Sequence, residues 1–260
     1  MPEGLEIEYY RRLAHTALDR VITAVDAPDD WYLKRGLTAP VVRELLVGRH
    51  FVADRRRGKL LLLDLDDGTT LGLRFGMTGK LEVDEQPAVE ALQYSSPRLD
   101  PAWVRFGVHF ADGGSLLMRD PRRLGGVEVD PQEDELGPDA LSVTPGQLRV
   151  ALAGSEAPLK ARLMDQRRLA GLGNLLVDEI LWRASLDPAR PAGGLDDRER
   201  RRLHRHLRRT LDELLERGGS HMGDLMPARA RGARCPRCGG VLARRTIGGR
   251  TTYSCVAHQR

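Results

Sequence analysis

Four residues near the end of the chain have the spacing of a metal site. Cys235 and Cys238 are separated by two residues, and the same spacing recurs sixteen residues later in Cys255 and His258. Thiolate sulfur and imidazole nitrogen are preferred ligands of Zn²⁺, and two ligands on each of two turns give a tetrahedral site. All three cysteines of the chain belong to this cluster, which favours metal ligands over a disulfide framework. The spacing therefore predicts one structural zinc ion.

The residues between the two ligand pairs predict a β-hairpin. Leu242–Arg245 and Thr251–Ser254 alternate like two short strands, and Ile247 and two glycines separate them. A structural zinc ion contributes on the order of 10–16 kcal/mol of apparent binding energy in small peptides, so the module should unfold without its metal. The end of the chain is therefore predicted to be a β-hairpin zinc finger.

The other end of the chain carries a second reactive group. The sequence opens Met1-Pro2-Glu3, and removal of Met1 would leave Pro2 with a free secondary amine. An α-amino group has a reference pKa of roughly 7.7–8.0, so part of it is an unprotonated nucleophile at neutral pH. Attack on a sugar C1′ would give an iminium ion, with Glu3 beside it to transfer protons. The alternative is an ordinary helix start, because apolar residues from Leu5 to Leu18 recur at roughly helical spacing.

A glycine-rich turn in the second half could bind an anion. Gly171 and Gly173 permit backbone conformations that other residues resist, and Asn174 stands where a helix N-cap is expected. The following helix would point free N–H groups and the positive end of its dipole at the turn, an arrangement that attracts phosphate. A buried helical hairpin with ordinary glycine turns explains the same spacing, and the spacing alone does not decide between them.

Composition and patterning set the frame for these sites. The 260 residues are 41% hydrophobic, enough for one large core or two modest ones, and the net charge of +4 is compatible with an anionic partner. The sequence contains no run of 18 apolar residues, so no membrane span is predicted. Its first residues lack the apolar segment of a secretory signal, so no such signal is predicted either. Aromatic residues make up only 5%, which disfavours a surface that binds single strands by base stacking.

The order of the patterns predicts a β-rich half followed by a helical half. One helix precedes short strands separated by turns, which are typical of an antiparallel sandwich or barrel. Asp130–Pro145 is acidic and contains prolines, as linkers do. Asp196–Arg217 is a basic amphipathic helix whose arginines we interpret as a solvated face. The predicted strands are Val21–Val25, Leu60–Leu65, Thr70–Phe75, Val104–Phe110, Ser115–Met118 and Val127–Val129.

The segment around the glycine turn, LMDQRRLAGLGNLLVDEILWRA, resembles the helix–two-turns–helix of the formamidopyrimidine-DNA glycosylase and endonuclease VIII family of DNA repair enzymes. The Pro-Glu opening, three loops and the finger resemble further parts of that family. The resemblance implies an α+β fold, with an N-terminal helix plus an antiparallel β-sandwich domain and then a helical domain with a β-hairpin zinc finger. The implied bounds are 1–130 for the catalytic domain, 131–144 for the linker, 145–219 for the helix–two-turns–helix domain and 220–260 for the finger.

The resemblance also implies roles for individual residues. Met77 would fill the gap left by an everted base, Arg122 would pair with the orphaned base, and Leu124 would act as an apolar wedge, which unstacks bases. Lys160, like Lys59, would contact phosphate. The implied catalytic residues are Pro2, Glu3 and Lys59, the DNA-binding residues are Met77, Arg122, Leu124, Lys160, Asn174 and Arg250, and the metal ligands are Cys235, Cys238, Cys255 and His258.

Several positions depart from the family pattern. Leu124 replaces an aromatic wedge, Arg74 stands where histidine is common, and His258 replaces a cysteine, although histidine is a competent zinc ligand. The segment from Ser220 to Arg234, which covers the extruded base in relatives specific for oxidised purines, is short. These departures bear on the choice of lesion more than on the activity itself.

The leading hypothesis is a bifunctional DNA glycosylase and abasic-site lyase of base excision repair. It would excise damaged bases, expected to be oxidised, through a Schiff base on Pro2 followed by β,δ-elimination. The alternatives are a non-catalytic damaged-DNA-binding zinc-finger protein and a tautomerase-like enzyme that uses Pro2 as a general base. The expected partner is double-stranded DNA with damaged bases or abasic sites, bound by a cytoplasmic, nucleoid-associated monomer that has one zinc ion and no membrane partner.

Overall fold

The computed structural model describes residues 2–89, 92 and 100–260. The chain separates into two compact units, one formed by Met1–Pro2 and Glu6–Glu133 and the other by Glu3–Leu5 and Asp134–Arg260. The boundary between Glu133 and Asp134 falls within the acidic segment 131–144. Met1, whose removal the catalytic hypothesis requires, lies outside the described residues.

The first unit is an antiparallel β-sandwich. A five-stranded sheet has the order β1-β7-β8-β5-β6, and a four-stranded sheet has the order β2-β3-β4-β9. Leucines of β3 and β4 and apolar residues of β7 and β8 belong to one buried core, which the two sheets share. The elements are α1 (Gly4–Ala14), β1 (Ile22–Asp26), α2 (Ala39–Leu46), β2 (Phe51–Arg57), β3 (Leu60–Leu65), β4 (Thr70–Arg74), β5 (Lys80–Val83), β6 (Gln86–Pro87), β7 (Val104–Phe110), β8 (Ser115–Arg119) and β9 (Gly126–Val129).

The second unit is helical and ends in a β-hairpin. Helix α6 presents Leu203, Leu207, Leu211 and Leu214 to the core, as its amphipathic pattern predicted. Capping boxes begin α3 at Thr144 and α6 at Asp196, so the sequence sets both starts locally. The elements are α3 (Pro145–Leu152), α4 (Leu159–Met164), α5 (Asn174–Ala184), α6 (Asp197–Arg217), β10 (Ala243–Ile247) and β11 (Arg250–Ser254).

The predicted α+β fold is confirmed, with one correction in the first unit. The basic run 55–59 of the sequence suggests a hairpin tip that enters a strand, but the strand β2 continues through Arg57, which pairs with Leu60. Only Gly58 and Lys59 remain in the turn, where the positive φ of Gly58 (60°) permits a tight two-residue connection. The charged residues of β2 made this strand difficult to predict from the sequence, because one face of the strand is solvated. In the described part of the chain, no helix combines the length and apolarity needed to cross a membrane.

Candidate functional site

The N-terminus of α5 is occupied by a carboxylate from the second unit itself. Glu3 is fully buried, and its carboxylate accepts N–H groups from Gly173 (2.8 Å), Leu175 (2.8 Å) and Leu176 (3.2 Å). A negative charge is favourable here because the first N–H groups of a helix lack intrahelical partners and carry the positive end of its dipole. The predicted phosphate-binding end of this helix therefore holds an internal anion.

The turn before α5 needs its glycines for this contact. A Cβ at Gly173 would lie 2.4 Å from the carboxyl carbon of Glu3, and Gly171 has a φ of 110°. The Gly4 N–H donates to the Gly171 carbonyl at 2.8 Å, which fixes the chain just after Glu3. The prediction that Asn174 is the N-cap was wrong. Gly173 is the N-cap and Asn174 is the first helical residue, because Glu3 supplies the capping oxygens.

The side chain of Asn174 has a different property. Its Oδ1 atom is buried and has no hydrogen-bond partner among the described residues. Buried polar atoms without partners are costly and are uncommon outside functional sites.

Lys160 lies inside the second unit, where it makes several polar contacts. Its side chain is fully buried, and its Nζ donates to Asp178 at 2.6 Å and to the Thr251 carbonyl at 3.2 Å. Burial lowers the pKa of Lys160, while the charge of Asp178 opposes that shift. Arg229 also pairs with Asp178, and the Tyr253 N–H donates to it. Lys160 thus belongs to a buried ion pair that joins α4 and α5 to strand β11, and the phosphate contact that the resemblance implies stays a prediction.

Residues of the predicted catalytic group lie in distinct settings. Pro2 is buried, and Lys59 is half-buried at the second position of the β2–β3 turn. Glu3 is held by the helix end described above. Because the turn has only two residues, the hairpin fixes the backbone position from which the Lys59 side chain extends.

The three predicted gap-filling residues lie on two adjacent loops of the first unit. Met77 is half-buried between β4 and β5, while Arg122 and Leu124 are exposed on the loop between β8 and β9. Half of the Leu124 surface is accessible to solvent. Within the described residues, the Arg122 guanidinium has no hydrogen bond or ion pair. The glycines on either side, Gly76 and Gly79, favour a loop at Met77, and Met77 lies in one.

The predicted metal ligands come together in the second unit. One ligand atom from each of Cys235, Cys238, Cys255 and His258 lies within 4.8 Å of all the others. The Sγ atoms of Cys238 and Cys255 are 3.4 Å apart, too far for a disulfide and close to the separation of two ligands on one ion. His258 faces Cys235 through Nδ1 at 3.9 Å. This group could hold a metal ion.

Cys235, one of the predicted metal ligands, has a further partner in α5. The Trp182 indole N–H donates to its sulfur at 3.3 Å. Burial alone would raise the pKa of Cys235, but the Trp182 hydrogen bond and neighbouring backbone N–H groups lower it to about 7. A hydrogen bond to the thiolate form is what a metal-binding sulfur requires.

The hairpin places Arg250 at its tip. Arg250 is the first residue of β11, is exposed, and pairs in register with Ile247 across the turn Gly248-Gly249. A Cβ at Gly248 would lie 2.8 Å from the Cβ of Ala161, so the turn packs closely on α4. The finger tip is thereby fixed to the helical part of the same unit.

Sequence reasoning missed three residues that organise these sites: Asp120, Asp178 and Trp182. Each is a buried polar or aromatic residue whose partners lie far along the chain or in backbone N–H groups. Asp120 begins the loop 120–125, and the proline that follows it was the available signal.

Comparisons with known proteins match both units. The model of the formamidopyrimidine-DNA glycosylase N-terminal domain matches residues 1–127, and the model of the formamidopyrimidine-DNA glycosylase H2TH domain matches residues 136–225. Two similar relatives carry the name formamidopyrimidine-DNA glycosylase. The one from Paracoccus denitrificans is 34% identical over 100% of both chains, and the one from Thermus thermophilus is 36% identical over 100% of this chain and 98% of its own.

A solved structure gives the same result for the fold. The Lactococcus lactis Fpg in complex with DNA containing N7-benzyl-Fapy-dG is 25% identical to this chain. The alignment covers 100% of both chains with a TM-score of 0.83.

Proposed function

Because this chain belongs to the formamidopyrimidine-DNA glycosylase family, we propose that it is a DNA glycosylase of base excision repair that also cleaves the strand at abasic sites. The observation that carries the proposal is the buried Glu3 carboxylate, held by three N–H groups immediately after Pro2 in the chain. A carboxylate fixed in this way can accept a proton or stabilise a cation formed on the neighbouring residue.

The proposed reaction starts at the Pro2 nitrogen after removal of Met1. The nitrogen forms a bond to C1′ while the glycosidic bond breaks, and the base leaves with the electron pair and takes up a proton. Loss of the amine proton and protonation of O4′ then break the C1′–O4′ bond, which opens the sugar and gives the iminium. The iminium acidifies the C2′ proton, whose loss breaks the C3′–O bond and releases the 3′ phosphate in a β-elimination. A second, δ-elimination releases the 5′ phosphate. Glu3 and Lys59 are proposed to assist these proton transfers.

Trapping with borohydride tests the proposed nucleophile. Wild-type protein incubated with abasic duplex DNA and borohydride should form a covalent adduct. Peptide mapping should locate the modified residue at Pro2. A variant with one additional residue before Pro2 retains every side chain, but its Pro2 nitrogen is acylated because it is part of a peptide bond. This variant should bind the duplex without forming an adduct. An adduct of equal yield in the extended protein would overturn the proposal, and its position would identify the true nucleophile.

The same experiment separates the alternative functions. A non-catalytic damaged-DNA-binding protein would bind abasic DNA without an adduct in either form. A tautomerase-like enzyme would need Pro2 but would leave the metal ligands and the DNA unused. The preference for oxidised bases, the monomeric state on duplex DNA and the cytoplasmic, nucleoid-associated location stay predictions.

We further propose that the ion in the Cys3His group is one structural Zn²⁺. Three thiolates and one imidazole within a few ångströms of one another are a zinc-type donor set, and the ion would hold β10 and β11 to the two ligand turns. Metal analysis of freshly purified protein should find one zinc per chain. His258→Cys should retain it, because sulfur is a competent ligand, whereas His258→Ala should lose it. Purified wild-type protein without zinc would contradict the assignment.

Lys59, Asn174 and Arg250 are proposed as contacts to DNA phosphates, and Met77, Arg122 and Leu124 as residues that occupy the gap in the stack. Each neutralised phosphate changes the slope of log affinity against log salt by about 0.9. Arg250→Ala should therefore weaken binding and reduce the magnitude of that slope by roughly one. Arg244→Ala, which changes an exposed arginine on the same hairpin, is the matched control.

A further inference from the structure

One buried carboxylate joins the two loops that carry Met77, Arg122 and Leu124. Asp120 is fully buried, and its Oδ2 atom accepts the N–H groups of Leu124 and Gly125, each at 2.8 Å. Its Oδ1 atom accepts the Arg122 N–H at 3.2 Å and the Thr78 hydroxyl at 2.6 Å. Thr78 directly follows Met77, so the same side chain holds both loops.

The two loops also pack backbone against backbone. Gly76 has a φ of 56°, and a Cβ there would lie 2.4 Å from the carbonyl carbon of Leu124. A glycine is required at this position because a side chain would meet backbone atoms, which cannot move aside as a flexible side chain can. Met77 and Leu124 therefore cannot shift independently by much.

An ion pair between Arg123 and Asp29, which we call the strap, lies outside this junction and holds the tip of the second loop. Arg123 adopts a left-handed conformation (φ 55°), and its guanidinium donates to both oxygens of Asp29 at 2.6 Å. Asp29 is buried and also accepts the Trp31 N–H at 3.2 Å. Two parallel charge-assisted bonds fix the direction of the Arg123 side chain. Arg122 and Leu124, on either side of it, are left exposed.

From this geometry we propose that Asp29, Thr78 and Asp120 are positioning residues that make Met77, Arg122 and Leu124 one preorganised reading unit for the base opposite the lesion. The inference rests on the proposed function. The positioning residues are buried and need not touch DNA; they act by holding the exposed side chains in a binding geometry before DNA arrives. If the unit is loosened, the entropy cost of ordering its side chains is incurred when DNA binds, and recognition of the opposite base becomes weaker.

The test measures recognition without chemistry. The probe is a duplex with a tetrahydrofuran abasic-site analogue placed opposite each of the four bases in turn, and the readout is the ratio of the strongest to the weakest affinity. Asp29→Asn removes the strap, and Thr78→Val removes the bond between the loops while keeping the side-chain shape. Each substitution should reduce the affinity ratio by about two- to tenfold, because one or two more side chains must then be immobilised on binding. Asp30→Asn, at the exposed neighbouring position, should leave it unchanged.

Two further measurements distinguish positioning from general destabilisation. With 2-aminopurine opposite the analogue, the bound variants should show a broader distribution of fluorescence lifetimes than the wild type. Arg123→Ala should match Asp29→Asn, and the double variant should be no worse than either single variant, because both remove one interaction. If Thr78→Val fails to fold by circular dichroism, Asp29→Asn with Arg123→Ala decides the question.

The outcomes are separable from those of the proposed function. Wild-type affinity ratios and lifetimes in folded Asp29→Asn and Thr78→Val proteins would overturn the reading unit. Absence of a borohydride adduct in the wild type would overturn the lyase proposal. The affinity ratio would still test the reading unit in that case, because the analogue undergoes no reaction.

Discussion

Two buried carboxylates, one in each unit, are satisfied in nearly the same way but serve different kinds of structure. Glu3 accepts three backbone N–H groups at the start of a helix, and Asp120 accepts three within a loop. In the helix, the donors are aligned by the helix itself, so the carboxylate fixes the chain segment from which it comes. In the loop, the donors are aligned by the carboxylate, so its removal should free the loop.

A third buried carboxylate in the second unit is satisfied mainly by cations. Asp178 pairs with Lys160 and Arg229, and among the described residues one backbone N–H, from Tyr253, donates to it. Glu3 and Asp120 therefore anchor backbone N–H groups, one at a helix end 170 residues away and the other within its own loop, whereas Asp178 joins cations from separate elements. Four substitutions or conditions separate these roles, beginning with the largest expected effect.

Lys160→Met should give the largest loss of stability. Removing one partner of a buried ion pair typically costs about 3–5 kcal/mol in the free energy of unfolding, and we expect the lower end of that range because Arg229 still pairs with Asp178 in this variant. Urea unfolding measures this loss. The companion double variant Lys160→Met with Asp178→Leu should regain little of it, because the buried Arg229 guanidinium then loses its carboxylate partner. The salt slope of DNA binding should stay unchanged, because Lys160 is buried. A slope reduced by about 0.9 in the folded variant would restore the phosphate contact that the sequence suggested.

Glu3→Gln should have the next largest effect on stability and a larger one on activity. The amide keeps the shape but replaces one accepting oxygen with a donor that faces N–H groups, so we expect a loss of about 2–4 kcal/mol. Glu44→Gln, on an exposed position of α2, should stay within about 0.5 kcal/mol of the wild type. Thermal unfolding gives the stability, and the yield of the borohydride adduct gives the chemistry. An adduct that forms at the wild-type rate would remove Glu3 from the proposed mechanism.

The sequence predicted well what depends on local patterns. Strands β3 and β7 were placed to the residue, the apolar face of α6 was identified, and the Cys-x-x-Cys and Cys-x-x-His pairs come together. Each of these follows from periodicity or from ligand spacing, which a short window of sequence contains. The charged residues of β2 masked its alternation, because one face of that strand is solvated.

The sequence could not predict partners that folding brings together across the chain. Glu3 and Gly173 are 170 residues apart, so no local pattern shows that the helix end already holds an anion. The sequence likewise does not show that Lys160 is buried beside Asp178, 18 residues further along the chain. The resemblance located the right segments, and the phosphate contact that it implies for Lys160 stays a prediction.

Alanine at two glycines compares the helix end and the loop directly. At Gly173 the new Cβ would meet the Glu3 carboxylate, and at Gly76 it would meet the Leu124 backbone while φ is positive. Both substitutions should cost about 1–3 kcal/mol through overpacking, with Gly76→Ala at the upper end since backbone strain is added. Gly36→Ala, at a positive φ with open space, isolates the strain alone. Urea midpoints rank the three, and a Gly76→Ala protein no less stable than Gly36→Ala would contradict the close contact between the loops.

Acid should release the Arg123–Asp29 strap with the smallest effect of the four. The hydrogen bond from Arg123 lowers the pKa of Asp29 in the folded protein. A carboxyl whose folded pKa is depressed contributes stability above its unfolded value of roughly 3.9, and the contribution disappears as pH falls through the folded value. The Arg123 Nε–H resonance followed by NMR should therefore keep its bonded shift at neutral pH and lose it only below about pH 4. In Asp29→Asn the resonance should lack that transition. A transition of equal size in this variant would mean that another group holds Arg123, and the strap would then have to be reassigned.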